Sequence, residues 1–161
     1  MHGLIFNINI NPLSRNSGGH RIATVLRQKE WDIEVFDFVY YIDLQTLQEF
    51  VKQRTTNHTK FFGFSTFFSQ WSDHLSNFTS WLKKNYPDVP IILGGQDVAT
   101  TPATNIDFWV DSFGDKAIVE LLAFITNSSS KTVKFDESFK NKRVIKSIHS
   151  YPAYPQDSYA V

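Results

Sequence analysis

Two short runs of small residues are placed to do chemistry through the space they leave open. Gly63-Phe64-Ser65-Thr66-Phe67 and Gly94-Gly95 each close a hydrophobic run, with 26 residues between Phe67 and Gly94. Small residues at the carboxyl ends of neighbouring parallel strands let a large flat ligand lie against backbone, and open α/β sheets bind ligands at that edge. Ser65 would offer a hydroxyl to a buried polar group of the ligand, and Gln96 and Asp97 follow the double glycine. Taken singly, Ser65 also fits an ordinary strand-end turn, and Gly94-Gly95 a tight strand-to-helix turn.

The loop Asn11-Pro12-Leu13-Ser14-Arg15-Asn16-Ser17-Gly18-Gly19 supplies a second candidate. Backbone N–H groups at a helix start attract anions, and Arg15 adds a charge, so phosphate is its easiest ligand. Neither a P-loop nor a full G-x-G-x-x-G is present, and a plain turn is the alternative. His20 follows this loop. With Ile22, Val25 and Leu26 facing inward, His20 turns partly away, so a helix-surface role is preferred to that of a metal ligand. His2, His58, His74 and His149 have no metal-like spacing. The G-x-S-x-G pattern of a nucleophile elbow is absent around Ser65, which argues against a hydrolase.

These residues need a scaffold, and the hydrophobic pattern supplies one. Strand-like runs at Leu4 to Ile10, Ile33 to Phe38, Lys60 to Phe64, Pro90 to Leu93 and Asp107 to Val110 alternate with helical patterns. The helices are expected at Gly19 to Lys29, Leu44 to Arg54, Gln70 to Asn85 and Lys116 to Thr126. This alternation predicts a three-layer α/β/α domain, Rossmann-like or flavodoxin-like, with five parallel strands in the order 2-1-3-4-5. The switch point then falls between the first and third strands, so Asn9-Ile10-Asn11-Pro12 and Ser65-Thr66 border one crevice. Phe61, Phe62 and Phe64 read as core, as do Phe67, Phe68 and Trp71, although the last three lie past the strand end where a planar cofactor could meet them. After Ile125 the polar run Thr126 to Ser130 sets the expected boundary between a domain at 1–126 and an extension at 127–161. Tyr151-Pro152-Ala153-Tyr154-Pro155 reads there as an extended linker.

Composition narrows the function. Lys plus Arg and Asp plus Glu number 16 each, so no long-range field draws nucleic acid or anionic lipid. Zero cysteines exclude thiolate metal sites and a cysteine-ligated iron–sulfur cluster within the 161 residues. No apolar run reaches the roughly 18 residues of a membrane helix, and no signal-peptide pattern opens the sequence, so a cytoplasmic protein is expected.

Taken together, the loop after the first strand, Ser65-x-Phe67, the 26-residue gap and Gly94-Gly95 resemble the cobalamin-binding domain, whose pattern is D-x-H-x-x-G, S-x-L, 26 to 28 residues, then G-G. Asp107 to Val110, Ser112-Phe113-Gly114-Asp115 and the helix from Ala117 to Leu122 are similar to the last strand and G-E-G-E helix start of the cobalamin domains that precede radical SAM modules. Aligning Gly18 with the motif glycine puts Leu13 and Arg15 where that family has Asp and His. Aligning His20 with the motif histidine instead puts Gly18 for Asp and Ala23 for Gly. The first alignment keeps a glycine at the helix start and is preferred.

The resemblance implies cobalamin bound base-off and His-off, with no histidine beneath cobalt. It implies that Ser65 bonds the dimethylbenzimidazole, with Thr66 and Phe67 beside it and Gly94-Gly95 flanking it. Arg15 and Asn16 would sit near the corrin, along the loop with Asn11, Ser14, Ser17 and Gly18; Gln96 and Gly114 complete the set. S-adenosylmethionine and a four-iron four-sulfur cluster would belong to a radical SAM module in cis or trans, for methyl transfer or related radical chemistry. A flavodoxin-like phosphate or flavin binder, and a degenerate interaction domain without cofactor, are the alternative readings.

Overall fold

The computed structural model describes residues 1–9, 11–13, 16–66, 71–128 and 132–146. Its centre is a sheet of β1 (His2–Ile8), β2 (Asp32–Phe36), β3 (Thr59–Thr66), β4 (Ile91–Gly95), β5 (Phe108–Asp111) and β6 (Val144–Lys146). The order is β2-β1-β3-β4-β5-β6 and every neighbouring pair is parallel. Between the strands run α1 (Ser17–Arg27), α2 (Leu44–Arg54), α3 (Asp73–Asn85) and α4 (Asp115–Ile125).

The near-continuous apolar strands follow from burial on both faces, since helices cover each side of such a sheet. The two-residue strand period sorts them into two cores. Leu4, Phe6, Ile8, Phe62, Phe64 and Leu93 meet Leu47 and Val51 of α2 and Leu75, Phe78 and Leu82 of α3. There the Phe6 ring stands edge-on to Phe78 at 5.1 Å and stacks on Phe36 at 5.5 Å. On the opposite face Ile5, Ile33, Phe61, Ile92 and Val110 meet Ala23 and Leu26 of α1 and Ile118, Leu121 and Leu122 of α4. Side-chain caps start three of the helices: Asn16 accepts from the Gly18 amide, Asp43 from Thr46 and Ser72 from Leu75.

The first five strands keep the expected 2-1-3-4-5 order, but the sheet has six strands where five were expected. Only three residues form β6, inside a basic run, so it carries no strand period to read. Its partner supplies the missing signal: Val144 and Ile145 are buried against β5 in parallel register. Lys142 anchors the approach by donating to the carbonyls of Ala99 at 2.7 Å and Thr101 at 3.2 Å. The Asp136 amide donates to the Val144 carbonyl at 2.7 Å, which covers part of this edge strand. The segment Tyr151 to Pro155, read above as a linker, lies outside the described residues.

Candidate ligand-binding edge

Parallel register aligns one residue from each of four strands in a row near the carboxyl edge: Asn7, Ser65, Gly94 and Val110. Alternation turns all four toward the α1 and α4 face. Asn7 is fully buried and polar, so its amide must be satisfied within the protein. It donates to Asp37 Oδ1 at 2.8 Å and to the Asn16 carbonyl at 3.1 Å, and accepts from the Gly19 amide at 3.1 Å. Asn16 caps α1 and donates to the Ser65 carbonyl at 3.2 Å, tying the loop to the end of β3. His20 Nε2 stands 3.0 Å from both oxygens of Asp37.

Glycine serves opposite purposes along this row. A Cβ at Gly19 would stand 2.1 Å from Asn7 Oδ1, and one at Gly18 would stand 2.8 Å from Ser65 Oγ. These two glycines let α1 begin against the sheet. Gly95 has φ +147°, and a Cβ there would stand 2.1 Å from the Thr66 carbonyl oxygen, so only glycine fits. At Gly94 the nearest atoms to an added Cβ are the strand carbonyl oxygens of Phe64 and Val110, both at 3.9 Å. Packing therefore leaves that position open.

The far wall comes from α4. Gly114 begins it so close to the sheet and to α1 that a Cβ would meet Val110 Cγ1 at 3.2 Å and Ile22 Cδ1 at 3.4 Å. Arg21 of α1 pairs with Asp115 in the first turn of α4, and its guanidinium stands 6.0 Å from the centre of the Phe113 ring. Between the ends of β4 and β5 the backbone is left-handed at Asp97 and Ser112, with φ of 55° and 77°. The Ser112 amide donates to the Gly95 carbonyl at 2.9 Å. Burial, and then the neighbouring Asp97 charge, push the Asp111 carboxyl above its ordinary range, against backbone hydrogen bonds from Asp97 and Ser112 and the charge of Lys146.

Of the residues singled out in the sequence, Asn16, Gly18, Ser65 and Gly94 come together directly. Gly95 packs on buried Thr66, and Gly114 lies across the slot beside Val110. Asn11, Ser17 and Gln96 are exposed, and Asn11 accepts from the Leu13 amide at 2.8 Å in a local turn. Ser14, Arg15 and Phe67 lie outside the described residues. Asn7, Asp37 and Arg21 were not singled out in the sequence, and Asp115 entered only within the run Ser112 to Asp115. Asn7 carried a readable signal, a polar residue inside an otherwise apolar strand.

Two open hollows lie at the other, amino end of the sheet. One, of about 370 Å³, is lined by Asp107, Trp109 and Lys140 to Arg143; the other, of about 480 Å³, includes His2, Asp32, Glu34, Arg54 and His58. Asp107 in the first pairs with Lys83 at 2.6 Å, and Glu34 in the second pairs with Arg54 at 3.6 Å. Among the described residues no group of three His, Asp or Glu is arranged to hold a metal ion, and no helix is long and apolar enough to cross a membrane.

A doubly wound, Rossmann-like α/β domain with small residues at its carboxyl edge is thus defined. No protein-family model matches the chain, and no curated protein matches it. Among solved structures it is similar to a radical S-adenosylmethionine methyltransferase, TsrM, from Kitasatospora setae, determined with tryptophan substrate and a SAM analogue bound. The TM-score is 0.62 at 18% identity, over 81% of this chain and 26% of that one. The likeness is one of fold, and the chain corresponds to about a quarter of that enzyme's length.

Proposed function

We propose that this chain binds cobalamin base-off and His-off, as the cofactor-holding domain of a radical SAM-type enzyme. The observation that carries the reading is the open floor at Gly94, set between the Ser65 hydroxyl and the wall formed by Ile22 and Gly114. A glycine that neither backbone conformation nor packing requires fits a position kept clear for a ligand. The fold shared with part of a radical SAM methyltransferase supports the same reading.

In this role Ser65 donates its hydroxyl to an acceptor nitrogen of the nucleotide base, while the Gly94 backbone supplies the flat surface beneath it. Asn16 holds the Ser65 carbonyl and so fixes the end of β3. Pairing of His20 Nε2 with Asp37 supports a mode in which no histidine reaches the cobalt. Bound cobalamin supplies a cobalt centre that carries a methyl group or acts as a nucleophile. With no cysteine in the chain, the iron–sulfur cluster and S-adenosylmethionine fall to a separate radical SAM module.

The test is to mix the purified protein with hydroxocobalamin, remove free ligand by gel filtration and record the spectrum of the protein peak. A retained base-off spectrum that persists in His20→Ala is the expected result. Absence of retained cobalamin, or co-purification of a flavin in its place, overturns the reading.

A further inference from the structure

The space above Gly94 is open at its floor, and α1 and α4 pack together on the face of the sheet it opens to. Nothing but strand carbonyl oxygens lies within 4 Å of a Cβ built there. Higher up, Ile22 of α1 packs against the core cluster that includes Ala117 and Ile118 of α4, and a Cβ added at Gly114 would stand 3.4 Å from Ile22 Cδ1. Next in the chain to Ile22 and Gly114, Arg21 and Asp115 form an ion pair. Their side chains are only 28% and 23% exposed, so solvent and salt weaken the pair less than they would a fully exposed one. A flat ring laid on Gly94 needs contact distance on both sides, so its entry depends on how far α1 and α4 stand apart over the sheet.

We infer that the Arg21–Asp115 pair is a strap holding α1 and α4 closed over the slot, and that it must part before a planar ligand enters. This rests on the cobalamin reading for the identity of the ligand. The pair therefore governs the rate of entry, in addition to tying two helices together. A tie with a purely structural role would lower stability when cut without speeding uptake.

Stopped-flow mixing with hydroxocobalamin tests this in the intact chain. Arg21→Ala should associate about fivefold faster than wild type, the scale expected from losing one partly shielded ion pair. The double variant Arg21→Asp/Asp115→Arg, which restores opposite charges, should return close to the wild-type rate. Added salt should speed uptake by wild type more than by Arg21→Ala.

Hydrogen exchange without ligand gives an independent readout: the amides of Gly19 and Ile118, at the starts of α1 and α4, should exchange faster in Arg21→Ala. Equal association rates in wild type and Arg21→Ala overturn the strap, whatever the exchange shows. Failure of wild type to take up cobalamin overturns the proposed function. In that case exchange alone tests the strap: unchanged exchange in Arg21→Ala, or faster exchange matched by a lower melting temperature, overturns it, and faster exchange confined to the starts of α1 and α4 with an unchanged melting temperature supports it.

Discussion

The two halves of the carboxyl edge differ in how they use small residues. Over β1 and β3, every missing side chain is filled by a neighbour: Gly19 admits Asn7, and Gly18 admits Ser65. Over β4, Gly94 admits nothing, although Gly95 beside it is bound by backbone geometry and by the Thr66 carbonyl. A double glycine therefore combines one residue that the fold demands with one that it does not. The second is the position that the proposed function assigns to the ligand.

The sharpest way to break this contrast is substitution at Gly95. Gly95→Ala combines a disfavoured φ with collision against backbone, and should cost about 3 kcal/mol in chemical denaturation. A cost below about 1 kcal/mol would mean that the turn relaxes freely. Gly19→Ala should cost less. Displacing the Asn7 amide from its partners costs about 1–3 kcal/mol, and the better helix propensity of alanine returns about 1 kcal/mol. Gly94→Ala, with open space for its methyl group, should stay within about 0.5 kcal/mol of wild type.

The smallest effect concerns charge at the far side of the same edge. Asp111 holds its proton more tightly in the folded chain, so its contribution to stability falls as pH rises from 3.8 through its raised value. Asp111→Asn should remove that slope from stability measured across mild acid. Asp136 has the opposite sign: hydrogen bonds from the Ser138 side chain and backbone, with help from Lys146, lower it to about 2. Its contribution is present above 3.8 and is lost as pH falls through about 2, so the two residues act in separate windows. A slope unchanged by Asp111→Asn would remove Asp111 as its source.

Most of the scaffold was legible because its helices and central strands are long enough to show a period. In the helix expected at Gln70 to Asn85, for example, Leu75, Phe78 and Leu82 recur at helical spacing, and all three are buried in α3. The sixth strand was not legible, because the placement of Val144 and Ile145 depends on β5 and on the Lys142 anchor, which are tertiary facts. At the candidate site, Ser65 and Gly94-Gly95 stand out in the sequence by residue type at strand ends. The different reasons for Gly94 and Gly95 depend on the φ of Gly95 and on the Thr66 carbonyl, from a residue on the neighbouring strand, and no sequence pattern carries them. Arg21 and Asp115 were equally hidden, since 94 residues separate two charges that meet only when α1 and α4 share a face.

The most direct test of the open floor is a cobalamin titration of wild type, Gly94→Ala and Gly94→Val, with melting curves recorded on the same samples. Affinity should fall from Gly to Ala and be lost at Val, while all three proteins melt close together. Equal affinity across the three would show that nothing is seated on Gly94, and would contradict the assignment of this edge as the cofactor site.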